Sequence, residues 1–422
     1  MRNCGGRTKL AHHPGSRKLH GRPRAGPKTA IFGIVIFLDI NTFYGPSAGG
    51  IRTYHQAKLE WFSRQDEHAY FLIHPGPVAR VERVTPRVTV IQVPGIRLTQ
   101  DPAGYRLILN YLPVARWIRR IRPDVIEAGD AWLTSWFCLA FKALGAWNGT
   151  LVSFYHSDPV PTYFEPWAAR GGRLRRGVVT ILAPVFYAVQ RRFDGTGVSS
   201  RFVRDALLRQ GVANTRHLPF GTDPVYFTRS SPTIPLRRAG ATPESAPVRF
   251  LYAGRLDADK GIDLLLEVWE SLLENPDATI TVAGRGAYAA RFQAIQHPRF
   301  HFLGFVGDRR AMAGLYAAQD ILLAPGPHET FGMSVLEGMA SGLTVIGPTA
   351  GGTGELLDEV GSPFRFTPGD APDFLDKARA AAASDLSAWS QRHYEIAQRY
   401  GTWEDSVRNM IEAWTETAGE KA

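Results

Sequence analysis

From residue 30 onward, short apolar runs alternate with stretches of helical period. Runs at 30–38, 69–73, 88–93, 125–129, 151–156 and 195–199 predict one series of strands. A second series follows at 248–254, 278–284, 300–304, 321–325 and 344–348. Segments such as 262–273 and 333–339 carry the 3.6-residue repeat of amphipathic helices between them. Strands alternating with helices predict parallel sheets covered on both faces, and two such series predict two sheets. The expected class is therefore α/β, with two Rossmann-like parallel-sheet domains. The stretch 218–223, with Pro219 and Gly221, reads as the crossing between them, and the polar 229–247 segment precedes the second sheet.

The length of 422 residues agrees with two domains. Hydrophobic residues at 44% and charged residues at 21% describe an ordinary globular chain. Cys4 and Cys138 offer neither a disulfide framework nor a metal-ligand pattern, which fits a reducing, cytoplasmic setting. Residues 1–28 are basic, rich in Gly and Pro and without apolar period, so they read as a disordered tail. The apolar run at 30–38 after that basic tail has the order of a signal peptide, but Asp39 and a glycine-bearing loop follow at once, as after a buried strand. No uninterrupted apolar span reaches the ~20 residues of a transmembrane helix.

Charge is unevenly placed within the net +10. Residues 1–30 carry 8 Lys/Arg and no acids, residues 31–195 carry 19 against 12, and residues 196–422 carry 22 against 27. A basic first half points to an anionic partner, with ordinary surface charge as the plainer alternative.

In open α/β sheets ligands sit beyond the carboxyl ends of the strands, so unusual residues there are the candidates. The segment PHETFGMSVLEGMASG, 327–342, puts Glu329 in the loop after a strand and Gly332 at the start of a helix. Free amides and a positive dipole end at that start suit a phosphate. Glu329 and Glu337, about two helical turns apart, would repel the phosphate itself, so they suit neutral sugar and ribose hydroxyls. The segment AGRLDADKG, 253–261, follows the first strand of the second series with Arg255 and Lys260, a forked cation and a point cation for a diphosphate. Asp257 and Asp259 form a nominal D-x-D metal pair, but capping or beginning the next helix is the simpler role.

These elements, a strand followed by AGR-x4-KG and later by E-x7-E in PxETFGxxxLEGMASG, resemble the retaining GT-B glycosyltransferases of family 4, the group 1 glycosyl transferases. The resemblance runs from about residue 30 to near the end and is most specific in the second half. It implies GT-B architecture and transfer of a hexose from a UDP- or GDP-linked sugar to an acceptor hydroxyl. It also implies that Arg255 and Lys260 bind the diphosphate, Glu329 the donor sugar and Glu337 the ribose, with backbone amides around Phe331, Gly332, Met333 and Ser334 on the distal phosphate. In the first half, SAGGIRTYH at 47–55 supplies Gly49 and Gly50 after a strand, where backbone can approach a donor closely, although a glycine pair alone also describes a plain turn. VSFYHSDP at 152–159 places His156 at a strand end and is similar to the family's active-site histidine. LPFGTDPVYF at 218–227 departs from the commoner IPNGVD form, and TAGGTGELL at 349–357, with Gly351, Gly352 and Glu355, stays close to the family pattern. The expected domains are 29–222 for the acceptor, 223–402 for the nucleotide sugar, and a helix at 403–418 returning to the first domain.

No covalent nucleophile stands out, and the pattern implies neither a cofactor nor a required metal: fixed positive charge on the leaving diphosphate lowers the barrier. For the acceptor, residues 170–192 frame an apolar helical run with Arg170, Arg173, Arg175, Arg176, Arg191 and Arg192. That suits an anionic bilayer presenting a lipid acceptor at the inner face of the membrane, while a core helix with solvated ends fits equally. A polysaccharide or soluble acceptor stays open. A basic nucleic-acid- or membrane-binding protein without catalysis is the alternative of another class, but no binding module with aromatics interleaved on the basic face is present. GRG at 284–286 lacks the third glycine of a dinucleotide fingerprint.

Overall fold

Runs rich in Val, Ile and Leu fold into two separate sheets because their central strands are apolar on both faces and must be covered twice. The computed structural model describes residues 34–45, 49–97, 105–228 and 248–420. The 1–28 tail, the first residues of the 30–38 run and the 229–247 segment lie outside the described residues.

The first sheet has 8 strands. Across it run Thr215–His217, Gly195–Val198, Thr150–Phe154, Val125–Ala128, Val35–Ile40, His68–Gly76, Val88–Pro94 and Arg80–Arg83. All neighbours pair parallel except the edge strand Arg80–Arg83. The chain builds outward from Val35–Ile40 on one side, then returns to build on the other, so strand order reverses there. The second sheet has 6 parallel strands, in the order Phe300–Gly304, Ala278–Ala283, Val248–Ala253, Ile321–Leu323, Thr344–Pro348 and Arg365–Phe366. Its reversal falls between Val248–Ala253 and Ile321–Leu323. Each reversal opens a crevice at the strands' carboxyl ends, where such folds bind ligands.

Two departures from the sequence reading have clear causes. The first strand runs on through Asp39, whose carboxylate is buried in ion pairing with Lys58 at 2.6 Å and accepts from the Tyr70 hydroxyl at 2.8 Å. A polar residue thus continues a strand because tertiary partners meet its charge. Arg80–Arg83 shows no apolar pattern since all four residues are exposed at the sheet edge.

Two crossings join the lobes and run side by side: Thr222 N donates to Gly401 O at 3.1 Å and Trp403 N to Thr222 O at 3.0 Å. After the second crossing the helix Trp403–Gly419 packs on the first sheet, against Val125–Ala128, Thr150–Phe154 and Gly195–Val198, and on the helix Gly49–Ser63. Thr402 starts it with a capping box closed by Asp405. Trp414 is fully buried, and Gly195 and Gly197 leave room for its ring: a Cβ on either would lie 3.0–3.1 Å from the indole.

Candidate active site

The turn after Val248–Ala253 carries Arg255 and Lys260, the two cations that the sequence pattern assigns to a diphosphate. Arg255 donates through Nη1 to Asp257 Oδ2 and through Nη2 to Asp259 Oδ2, each at 2.5 Å. The two aspartates therefore engage the arginine instead of capping the next helix, and Asp257 also accepts from Ala287 N at 2.9 Å. Ala258–Lys260 forms a single 3-10 turn that ends at Gly261 with φ of 65°, where a Cβ would strike the Pro325 carbonyl oxygen at 2.4 Å. Only glycine permits that approach, and it brings Lys260 beside the loop after Ile321–Leu323. There Lys260 Nζ lies 2.7 Å from Glu329 Oε1.

That loop is fixed from behind, where Gly352 N donates to Glu329 O at 2.6 Å. Phe331 is buried against Phe220 and Tyr400, so its side chain anchors the loop and its backbone borders the cavity. Gly332, with φ of 89°, turns the chain into the helix Met333–Ala340, whose first residues, Met333 and Ser334, border the cleft. Across the cleft the helix Gly49–Ser63 begins at Gly49 and Gly50, and a Cβ on Gly50 would lie 3.0 Å from Met333 Sδ. Residues 47 and 48 lie outside the described residues. Two helix N-termini thus border one cavity, a favourable field for an anion.

The cavity measures about 360 Å³ and brings together Gly49, Gly50, His156, Arg255, Lys260, Glu329, Phe331, Gly332, Met333, Ser334 and Glu337. Every residue singled out in the sequence for the donor therefore borders the same space. Burial, reinforced by His55 and Lys58, lowers the His156 pKa to about 3, so its imidazole is neutral. Its Nε2 is buried without a hydrogen-bond partner, which leaves it available to a sugar hydroxyl. Tyr54 holds the ring edge-on at 4.7 Å. Burial raises Glu337 to about 7 against the opposing pull of Arg309 and Tyr316.

Several contributors escaped the sequence reading. Thr330 Oγ1 donates to His156 O at 2.9 Å and Ser200 Oγ donates to Thr330 O at 2.6 Å, so the two lobes are tied at the site itself. Glu355, named in the sequence only as part of the family pattern, accepts from Arg201 N at 3.0 Å and Phe202 N at 2.7 Å, capping a helix of the opposite lobe. Burial, reinforced by Asp259, raises the hydroxyl pKa of Tyr163, from the first lobe, against the opposing pull of Arg255 and Lys260. Hydroxyl-bearing loop residues of this kind have no distinguishing spacing. Only Thr330 had a position that could have marked it, inside the 327–342 motif.

The framed arginine run forms the helix Gly172–Gln190, and it is not the core helix that the sequence left open. Residues 172–178 are all exposed, and burial begins only at Phe186. Leu174, Val178, Ile181, Leu182 and Val185 make one apolar stripe at helical spacing, with Leu174 81% and Ile181 70% exposed. Trp132, Trp136 and Trp167 are also exposed in this lobe, and Arg175 lies over the Trp167 ring at 4.9 Å. No helix among the described residues is long and apolar enough to cross a membrane. Among the same residues no group of three or more His, Cys, Asp or Glu gathers as metal ligands.

Comparison with known proteins agrees with this geometry. Residues 48–225 match the family described as Glycosyltransferase Family 4, and residues 247–384 match Glycosyl transferases group 1. The chain is 28% identical over 389 residues to a GDP-mannose-dependent alpha-(1-6)-phosphatidylinositol dimannoside mannosyltransferase of Mycobacterium tuberculosis, covering 89% of this chain and 94% of that one. It is also 28% identical to a GDP-mannose-dependent alpha-mannosyltransferase of the same species, over 74% of this chain and 78% of the relative. Among solved structures, sucrose-phosphate synthase from Thermosynechococcus elongatus superposes with a TM-score of 0.71 at 19% identity, covering 90% of this chain and 98% of that one. HepE of Anabaena, solved with UDP-glucose, gives 0.65 at 18%, covering 90% and 99%. With both lobes matched and the motif residues gathered at one cleft, the chain belongs to the group 1, family 4 glycosyltransferases of GT-B fold, hexosyltransferases that use nucleotide sugars.

Proposed function

We propose that this enzyme moves a hexose from a nucleoside-diphosphate sugar to a lipid acceptor at a membrane surface with retention of configuration, and that GDP-mannose is the donor. The GDP-mannose assignment draws on the named activities of the two mycobacterial relatives. Arg255, Lys260 and the amides of the Met333–Ala340 helix start receive the diphosphate, displacing the carboxylates that hold the cations. Glu329 and the unpartnered Nε2 of His156 take sugar hydroxyls from opposite lobes, and Glu337 takes the ribose. The bond from the anomeric carbon to the diphosphate oxygen breaks as the acceptor oxygen bonds to that carbon on the same face. The acceptor proton passes to the departing diphosphate, whose charge the cations stabilise. No metal enters this scheme, because Arg255 and Lys260 supply the positive charge on the departing diphosphate.

One observation carries the lipid reading, namely the apolar stripe of the Gly172–Gln190 helix with Arg173, Arg175 and Arg176 on its exposed first turns. An amphipathic helix so charged suits the headgroup region of an anionic leaflet, which supports a peripheral position on the inner face. The test is transfer from GDP-mannose and UDP-glucose to vesicles holding phosphoinositol lipid or diacylglycerol, beside soluble glycans, with mass spectrometry of products and NMR of the new anomeric centre. The expected product is a mannolipid of donor configuration, with vesicle flotation lost in a Leu174→Asp, Ile181→Asp variant that still binds GDP. Transfer to soluble glycan alone would overturn the lipid reading.

A further inference from the structure

We infer that Arg285 reads the base of the donor nucleotide and selects guanine. The inference rests on the donor site proposed above and concerns a residue to which that site gives no role. Beside Glu337, whose carboxyl Tyr316 hydrogen-bonds, the cavity has a largely apolar slot lined by Ala283, Phe305, Val306, Met312 and Tyr316. An apolar lining next to the carboxylate assigned to the ribose suits a flat heterocycle. Arg285, in the loop after Ala278–Ala283, borders the slot.

Two features of Arg285 ask for a ligand. Its guanidinium lies over the Phe305 ring with Cζ 3.9 Å from the centroid, and Phe305 is itself 51% exposed. Stacking fixes the plane of the fork while leaving its edges to find acceptors. Its Nη2 is buried without a hydrogen-bond partner. An unmet donor on a charged group is costly, so turning the fork toward the slot becomes favourable once a ligand supplies acceptors. The neighbouring Arg309 also has an unmet Nη2, but its Nη1 is committed to Asp223 at 3.3 Å.

The chemistry of a guanidinium edge decides among bases. Guanine presents O6 and N7 side by side, two acceptors at the spacing of a forked pair of N–H donors. Adenine puts an amino donor beside N7 and repels one prong. A pyrimidine ring has no N7, so uracil O4 meets only one donor.

Titration calorimetry of the full chain with GDP, IDP, 7-deaza-GDP and UDP tests this, with Arg285→Ala and Arg285→Lys beside wild type and thermal melts to verify folding. Wild type is expected to bind GDP and IDP alike and 7-deaza-GDP and UDP more weakly. Arg285→Ala should weaken GDP by about 5- to 150-fold and UDP by less than about twofold, with 7-deaza-GDP losing less than GDP. Arg285→Lys keeps the charge without the fork and should not restore guanine preference. Equal weakening of GDP and UDP would make Arg285 a structural residue, and unchanged GDP binding would remove it from the site; either overturns the inference. A wild type that prefers UDP overturns it while leaving a nucleotide-sugar donor site intact. A folded wild type that binds no nucleotide overturns the donor reading as well.

Discussion

Lys260 and Glu329 hold each other at 2.7 Å, joining the cation of one loop to the carboxylate of another across 69 residues. Each is thereby kept in the cleft, and each must be released when ligand arrives. The pair is partly exposed, so it restrains geometry more than it stabilises the fold. Replacing either member should therefore affect function far more than folding.

Lys260→Ala is expected to lower kcat/KM by about 10²- to 10³-fold, the usual consequence of removing one preorganised charge from a transition state. Glu329→Gln should also lose transfer, yet bind free GDP as well as wild type or better, since Lys260 is freed for the phosphate. Steady-state transfer rates beside calorimetry with GDP would separate the two. Weaker GDP binding in Glu329→Gln would contradict this assignment.

Donor binding should depend on pH through Glu337. Burial holds its carboxyl near pH 7, whereas ribose hydroxyls donate best to the ionised form. Below about pH 7 binding must expel a proton, so GDP affinity should climb by up to about tenfold per pH unit and level off above it. Calorimetry at pH 6 in buffers of different ionisation enthalpy should register that proton. Glu337→Gln should bind more weakly and with a flat profile.

A second set of buried charges bears on stability. Lys58 Nζ sits between Asp39, at 2.6 Å, and Glu127, at 3.1 Å, while Trp414 Nε1 donates to Glu127 at 3.0 Å. Lys58→Met would leave two buried carboxylates facing each other and should cost about 3–5 kcal/mol. Trp414→Phe leaves one acceptor short and should cost about 1–3 kcal/mol. Urea midpoints would give the order, and a Lys58→Met protein as stable as wild type would refute the account.

Acid should destabilise the fold through two buried imidazoles. Burial lowers His156 to about 3 and His393 to about 4, against an ordinary value of 6.5. Between those limits the unfolded chain binds protons that the folded chain refuses, so stability is full above about pH 6.5 and falls toward pH 4. Thermal melts across that range should show the loss. A His393→Gln variant should show less of it.

Periodicity disclosed the two sheets and the cleft motifs because parallel strands buried on both faces leave unbroken apolar runs. It ended the first strand before Asp39 since no local signal shows that Lys58, 19 residues on, will neutralise the carboxylate. The edge strand Arg80–Arg83 was illegible for the opposite reason: it buries nothing. In the site, Arg255, Lys260 and Glu329 were readable because charge in the loops after strands has few structural uses, and Glu337 because it follows Glu329 within the same motif. Thr330 and Ser200 were not, since a hydroxyl that donates to a carbonyl of the other lobe leaves no trace in spacing. Asp257 and Asp259 were misassigned as caps because their true partner, Arg255, lies so near in sequence that helix-start chemistry and ion pairing look alike.

A helix that follows the second lobe in the chain completes the first lobe. Until Trp403–Gly419 leaves the ribosome, the groove above Gly195 and Gly197 stays open and Glu127 lacks one of its partners. At typical elongation rates that interval lasts on the order of tens of seconds. The second lobe, whose strands lie between, can close its own sheet first. Maturation of this protein therefore runs against the direction of translation, with the amino-terminal lobe the last to become native, and a nascent chain stalled before residue 403 should expose its unfinished core to chaperones and proteases.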